Sequence, residues 1–282
     1  MRKVLIPTDF SKNAWNAIKY AVELFKYEVS EFYIMHAYKD EIYEDKDLLQ
    51  KAPLDSITQI VGKKSEEFLN KTLLDISEYS SNPKHKYNTI SSNNLLIDEV
   101  ELLSNDEDID LIVMGTHGKT NDRNITFGSN TLQVLKYVQC PVLAVPANYE
   151  YKSLKHIIFP TNYIIPYNRR ELKLLSEMAS KFSATIDMLY ISKSKKLSMR
   201  QQDHKNFIKD AFDKNNINFK TLKNKNILNT IFSYLKGNSV DMLVMVNTTH
   251  SFLENILFQS TIDKISLNID IPFLTLQNIK RY

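Results

Sequence analysis

An internal repeat limits the fold of this 282-residue chain more than any other feature of its sequence. Short segments of the first half return in the same order in the second half: "KVLIPTDF" (3–10) as "HIIFPTNY" (156–163), "DLIVMGTHG" (110–118) as "DMLVMVNTT" (241–249), "TFGSNT" (126–131) as "LFQSTI" (257–262), and "CPVLAV" (140–145) as "IPFLTL" (271–276). Four matches in the same order in both halves would rarely arise by coincidence. The sequence therefore predicts two tandem domains, which we place at residues 1–147 and 153–282.

The first half alternates short apolar runs with longer segments of helical period. The runs that read as strands lie at 4–6, 31–37, 85–91, 110–114 and 141–145. Helical periods follow Ser11 and cover 56–79, 94–105 and 128–137. The run "DLIVM" is apolar on both faces, which is typical of a central strand in a parallel sheet. This alternation predicts an α/β fold whose parallel sheet carries helices on both faces.

Glycine is concentrated where one of these strands leads into a helix. Of the five glycines in the chain, three lie at 115, 118 and 128. Glycine at the first two positions would allow positive φ and close approach of a ligand. Gly128 and Ser129 begin the next helix, with Ser129 as a candidate N-cap, and free amides at a helix start favour an anion. The pattern predicts a phosphate site beyond the carboxyl end of a strand, where open parallel sheets bind ligands.

Two simpler readings of the glycine-rich loop compete with this one. The glycines could serve only a tight turn and a helix start. The run "GTHGKT" also contains the end of a P-loop, but G-x-x-x-x-G-K-[ST] requires glycine at 113, where the chain has Val113. The P-loop is thus excluded, while the turn remains open as an alternative.

The spacing G-x2-G-x9-G-S of this loop resembles the ATP-binding signature of the universal stress protein family. The resemblance extends to "PTDFS" after the first strand, "MHAY" after the second and "CPVLAVP" at the end of the half. It covers both halves, so the chain resembles a tandem, two-domain member. The resemblance implies an adenine nucleotide α-hydrolase-like fold with two open parallel five-stranded sheets, each in the order 3-2-1-4-5.

The resemblance also implies one ATP, with or without Mg²⁺, in the first domain. Residues expected around the adenosine are Pro7, Thr8, Asp9, Ala37 and Met114, with Asp9 as an acceptor for ribose hydroxyls. Residues expected around the phosphates are Gly115, Gly118, Gly128, Ser129 and the amide of Asn130, which stands where the family has an apolar residue. Asp9 could equally cap the helix that begins near Ser11. Lys119 and Arg123 lie in the intervening flap, where they could reach a phosphate or stay solvated.

No catalytic or metal-binding constellation stands out in the sequence. His36 ends an apolar strand and is predicted to be a packed core histidine, while His117 has no evident triad partner. The six histidines and the single cysteine, Cys140, show no metal-ligand spacing. Slow ATP hydrolysis or transfer at the α-phosphate remains an alternative function, as does a ligand-free interaction scaffold.

The second half serves as an internal control for the glycine-rich loop. Its residues at the three glycine positions are Val246, Thr249 and Gln259, and Asn162 replaces Asp9. Valine and threonine are β-branched and tolerate positive φ poorly. We therefore expect the second domain to keep the fold, to lack the nucleotide site, and to act as a pairing or regulatory partner within the chain or in a homodimer.

Charge and hydropathy exclude several other classes of protein. The net charge is only +3 and the basic residues are scattered, which argues against a nucleic-acid surface. No run reaches the roughly 18 apolar residues of a membrane span. The lone Cys140 allows no intrachain disulfide and is predicted to lie in the core. These features lead us to expect a cytoplasmic protein with no membrane or nucleic-acid partner.

Overall fold

The computed structural model describes residues 1–44, 53–117, 127–164, 167, 169–194, 196–247 and 269–278. The chain divides into two compact units, Met1–Tyr151 and Lys152–Tyr282. Each unit is a parallel α/β structure, as the alternation of the sequence predicts.

The first unit contains the predicted strands and helices within a residue or two of their expected bounds. In chain order they are β1 (Arg2–Pro7), α1 (Lys12–Leu24), β2 (Ser30–Ala37), α2 (Lys39–Glu44), α3 (Leu54–Tyr79), β3 (His85–Ser92), α4 (Leu96–Asp106), β4 (Leu111–Gly115), α5 (Ser129–Tyr137) and β5 (Val142–Val145). Helix α2 is an addition that the periodicity did not predict. It packs on α3 through a small cluster around Tyr38, Ile42 and Ile57.

The strands of the first unit are parallel and lie in the order β3-β2-β1-β4-β5. Strand β1 is central, and its Val4, Leu5 and Ile6 have no exposed surface. Right-handed crossovers place α1 and α3 on one face of the sheet and α4 and α5 on the other. The chain therefore changes faces between β1 and β4, which makes the carboxyl ends of these two strands the switch point of the sheet.

The second unit repeats this topology. Its elements are β6 (His156–Thr161), α6 (Arg169–Lys181), β7 (Thr185–Ser192), α7 (Met199–Ala211), β8 (Asn216–Lys223), α8 (Ile227–Gly237), β9 (Met242–Asn247) and β10 (Phe273–Gln277). Their order, β8-β7-β6-β9-β10, matches that of the first unit strand for strand. The order 3-2-1-4-5 is thus confirmed in each unit, while the division into two separate sheets stays a prediction.

Aromatic residues at equivalent positions are a further similarity between the two units. Phe10 and Tyr163 follow β1 and β6 and adopt positive φ, at 62° and 55°. The Phe10 ring packs on His36 with centroids 4.5 Å apart, and the Tyr163 ring stacks on Tyr190 at 5.3 Å. His36 and Tyr190 occupy the same register position of β2 and β7. Each unit therefore packs a ring from the turn after its central strand against the neighbouring strand.

Candidate functional site

The β1–α1 turn forms one side of the switch point and is held by short-range hydrogen bonds. The Thr8 amide donates to Met35 O at 2.8 Å, and Thr8 Oγ1 accepts from the Phe10 amide at 3.0 Å. Ser11 Oγ accepts from the Ala14 amide at 3.2 Å, so Ser11 is the N-cap of α1. Asp9 Oδ1 accepts from the Ser11 amide at 3.0 Å. The alternative that Asp9 caps α1 is therefore wrong: Asp9 holds the capping residue with one oxygen, and its Oδ2 accepts no hydrogen bond from the described residues.

Gly115 ends β4 on the other side of the switch point, and its role differs from the one predicted. A Cβ at this position would lie 3.2 Å from the carbonyl oxygen of Asn13 and 3.3 Å from that of His117. None of the described glycines has a positive φ. The prediction of positive φ at Gly115 is thus wrong, and a side chain would instead be crowded here because the first turn of α1 passes close to the end of β4. Gly118 lies outside the described residues.

The start of α5 closes the base of the glycine-rich loop. The Gly128 amide donates to Thr116 O at 2.8 Å, and Thr131 Oγ1 donates to Gly115 O at 2.8 Å. Gly128 is the N-cap, with φ −62° and ψ 162°, and Ser129 is the first helical residue. The prediction of Ser129 as N-cap is therefore wrong.

This helix start leaves backbone donors available. Gly128 has no side chain with which to accept hydrogen bonds from the first turn of α5. The amides of Ser129 and Asn130 have no intrahelical acceptor at these positions. Both residues are exposed. The exposed donors and the positive end of the helix dipole together favour an anion here.

The remaining predicted residues lie at the same carboxyl edge of the sheet. Pro7 ends β1 and is buried, while Ala37 ends β2 and is partly exposed. Met114 lies in β4 with 6% of its surface exposed. The fold thus brings the predicted adenosine residues and the described part of the predicted phosphate loop to one edge, from three strands that are distant in sequence.

The histidines near this edge make structural contacts. His36 is buried, and its Nδ1 shares a hydrogen bond of 2.9 Å with Ser65 Oγ, as the prediction of a packed core histidine requires. His117 Nδ1 shares a hydrogen bond of 3.0 Å with Thr116 Oγ1. Cys140 is buried, and its Sγ donates to Ile109 O at 3.4 Å. In the part of the chain that the structure describes, no group of three or more His, Cys, Asp or Glu side chains could hold a metal ion.

The second unit builds the equivalent edge differently. The connection from β6 to α6 covers 162–168, whereas that from β1 to α1 covers only 8–11. Thr161 Oγ1 accepts from the Tyr163 amide at 3.0 Å, as Thr8 accepts from Phe10, but it also shares a hydrogen bond with the Tyr167 hydroxyl. The Tyr167 ring is buried edge-on against Phe159, with centroids 5.6 Å apart. The longer connection thus covers the end of β6 with a side chain of its own.

Sequence comparison alone missed Tyr167, because the residue stands in an insertion with no counterpart in the first half. Val246, which aligns with Gly115, is in β9 and 9% exposed. Thr249 and Gln259, aligned with the other two glycines, lie outside the described residues. None of the described helices is long and apolar enough to cross a membrane.

The fold and this edge define an open parallel α/β protein whose switch point lies between the carboxyl ends of β1 and β4. The model of the Universal stress protein family matches residues 1–146, more than half of the chain, and the chain belongs to this family.

Relatives of this family align with the first half of the chain. Universal stress protein MJ0577 of Methanocaldococcus jannaschii is 29% identical over 153 residues, which cover 51% of this chain and 94% of that protein. Universal stress protein MJ0531 of the same organism is 29% identical over 144 residues, which cover 51% and 81%.

A solved structure matches both halves. The universal stress protein from Archaeoglobus fulgidus aligns over 98% of this chain and 96% of that chain, with a TM-score of 0.66 and 14% identity. At this identity the likeness concerns the fold, and it extends over the whole chain.

Proposed function

We propose that the first unit binds one ATP in the crevice between the carboxyl ends of β1 and β4. The observation that carries this proposal is the start of α5, where the N-cap Gly128 offers no side-chain acceptor to the amides of the exposed residues Ser129 and Asn130. A phosphate group would accept from these amides and from the backbone around Gly118. The signature spacing from Gly115 to Ser129 supports the same assignment.

The adenosine would lie toward β1 and β2. Asp9 keeps its Oδ2 available for a ribose hydroxyl, since Oδ1 is engaged by the Ser11 amide. Ala37 is small and partly exposed at the end of β2, which leaves room for the flat face of the base. Pro7, Thr8 and Met114 would border the same space. Where Mg²⁺ accompanies the nucleotide, the ion would be carried mainly by the phosphate oxygens.

The second unit, in this proposal, binds no nucleotide. Asn162 offers no carboxylate for a ribose, and Tyr167 occupies the hydroxyl of Thr161 and covers the end of β6. The chain would thus be a nucleotide-dependent stress-response or signalling module with a single site, and residues 153–282 would supply a pairing surface within the chain or for a homodimer.

The decisive experiment measures bound nucleotide and its stoichiometry. The purified chain is denatured and the released small molecules are identified by chromatography and mass spectrometry, and ATP binding to the emptied protein is measured by calorimetry. We expect adenine nucleotide and one site per chain. Absence of both released nucleotide and binding heat would refute the proposal. Two sites per chain would refute the claim that the second unit binds no nucleotide.

A matched pair of variants tests the role of the carboxylate. Asp9→Asn keeps an oxygen for the Ser11 amide but removes the charge, and we expect it to weaken ATP binding about tenfold, as loss of a charged hydrogen bond does. Asn162→Asp makes the reverse change at the equivalent position of the second unit and should leave ATP affinity unchanged. Equal ATP affinities of the wild type and Asp9→Asn would show that Asp9 does not contact the nucleotide.

A further inference from the structure

A groove separates α1 from α3 on the face of the sheet that these helices share. It has a volume of about 850 Å³ and runs along both helices from the β1–α1 turn. We call it the α1–α3 groove. Its aromatic and acidic lining residues are Asp9, Phe10, Trp15, Phe68, Asp75, Glu78 and Tyr79. The groove shares Thr8 and Asp9 of the β1–α1 turn with the proposed nucleotide site, whereas its far end at Trp15 and Tyr79 lies along α1 and α3, away from the other residues of that site.

Two ring pairs connect the walls of the groove. Phe10 and Phe68 lie at the end near the turn, with centroids 5.2 Å apart. Farther along, Trp15 of α1 and Tyr79 of α3 lie 6.2 Å apart with their planes at 76°. Trp15 is partly exposed and Tyr79 is 44% exposed. These two rings therefore form an accessible, nearly right-angled corner whose faces can contact a cation from two sides.

Acidic groups surround this corner. Asp75 and Glu78 are exposed on α3, one turn and one residue before Tyr79, and both line the groove. Neither carboxylate forms an ion pair with another described residue, although Lys71 lies one turn before Asp75. Burial, aided by the nearby Glu23 carboxylate, raises the pKa of the Tyr79 hydroxyl, so that ring stays neutral. The corner thus combines two π faces with unpaired negative charge.

The second unit shows what happens where the protein supplies its own cation. Its helices α6 and α7, equivalent to α1 and α3, pack directly against each other. The guanidinium of Arg169, the first residue of α6, lies over the Phe207 ring of α7 at 5.6 Å. In the first unit, no Lys or Arg of the described residues lies over Trp15 or Tyr79. In the second unit the Arg169 guanidinium covers a ring between the two helices, whereas in the first unit no described Lys or Arg covers the Trp15 or Tyr79 ring.

We propose that the Trp15–Tyr79 corner of the α1–α3 groove binds a small organic ammonium ion. The rings would contact its methyl or methylene groups and positive charge, and the carboxylates of Asp75 and Glu78 would neutralise it. Lys12 and Lys71 also line the groove and disfavour a second positive charge there, so the ligand carries a single ammonium group.

Trp15 is the only tryptophan in the chain, so its fluorescence reports directly on this corner. The probe is choline, titrated against the whole protein in parallel with its neutral isostere 3,3-dimethylbutan-1-ol, and calorimetry provides a second readout. We expect a saturable change with choline and at least about tenfold weaker binding of the isostere, because the cation–π and ionic attractions are lost.

Variants on α3 distinguish this site from general salt effects. The double variant Asp75→Asn with Glu78→Gln should weaken choline binding about tenfold without changing circular dichroism. Glu67→Gln, an exposed acidic position on the same helix, should have no effect. Binding should also persist in Ser129→Ala, a position of the proposed phosphate site that does not line the groove, which separates the two sites. No saturable signal by either readout, equal binding of the isostere, or unchanged binding by the double variant would overturn the proposal.

Discussion

Asn13 and Gly115 approach so closely that a Cβ on residue 115 would lie 3.2 Å from the Asn13 carbonyl oxygen. This contact joins the first turn of α1 to the last residue of β4. The start of α1 and the end of β4 therefore lie in close contact beside the switch point. A glycine of the proposed nucleotide site is thus also a packing residue of the fold.

Gly115→Ala should lower the free energy of unfolding by about 1–3 kcal/mol, because α1 must move away from β4 to admit the methyl group. Urea unfolding followed by circular dichroism measures the change. Gly237→Ala is the matched control, since a Cβ there meets nothing within 4 Å, and it should be neutral or stabilising by about 0.4–1 kcal/mol. Equal stability of the two variants would contradict the close contact.

The capping residues of α1 and α5 give a second prediction. Ser11→Ala should cost about 1 kcal/mol of stability because the Ala14 amide loses its side-chain acceptor. Ser129→Ala should change stability by less than about 0.5 kcal/mol, since Gly128 is the N-cap of α5 and Ser129 is exposed. A larger loss for Ser129→Ala than for Ser11→Ala in urea unfolding would show that the caps are assigned wrongly.

Tyr167→Phe should destabilise the second unit by about 1 kcal/mol, because the hydroxyl of buried Thr161 loses one of its partners. Tyr167→Ala should cost about 3–5 kcal/mol through the cavity left against Phe159. Tyr137→Phe, at a position that is 62% exposed, serves as the control for removal of a tyrosine hydroxyl. If thermal unfolding finds Tyr167→Phe and Tyr137→Phe equally stable, the hydrogen bond between the Tyr167 and Thr161 hydroxyls contributes nothing to stability.

Asp187 makes the stability of the second unit depend on pH. Burial alone would raise the pKa of this carboxyl, but hydrogen bonds from Lys220, Asn218, Tyr234 and His156 outweigh it and hold the pKa far below its ordinary value. A depressed pKa in the folded state contributes stability above the unfolded pKa, near 3.8, and this contribution is lost as the pH falls through and below that value.

Urea unfolding of Asp187→Asn between pH 7 and pH 3 tests this linkage. The variant should be less stable at pH 7 by about 1–3 kcal/mol and should lose less stability than wild type on acidification. Part of the acid sensitivity will remain, since hydrogen bonds from Lys86 and Asn88 lower the pKa of Glu31 in the first unit. Asp203→Asn changes an exposed carboxylate and should follow the wild-type curve; an identical curve for Asp187→Asn would contradict the prediction.

The sequence by itself determined the strands of the first half, its helices other than α2, and the repetition of the pattern in the second half. Apolar runs such as 110–114 and the helical period of 56–79 are local patterns. They suffice to predict these elements because a strand buried on both faces, or a helix buried on one face, leaves its own apolar pattern in a single segment. The strand order followed from resemblance to a family, and the glycine spacing predicted a phosphate site in the loop between β4 and α5.

Only the tertiary structure decided what individual residues do there. The backbone of Asn13, a hundred positions away, crowds any side chain at residue 115. Asp9 accepts from the amide of the N-cap Ser11 instead of capping α1 itself. The rings of Trp15 and Tyr79 meet across two helices, and Tyr167 covers the end of β6 from within an insertion. These relationships depend on which distant segments the fold brings into contact, and a periodic pattern along one segment carries no information about its neighbours in space.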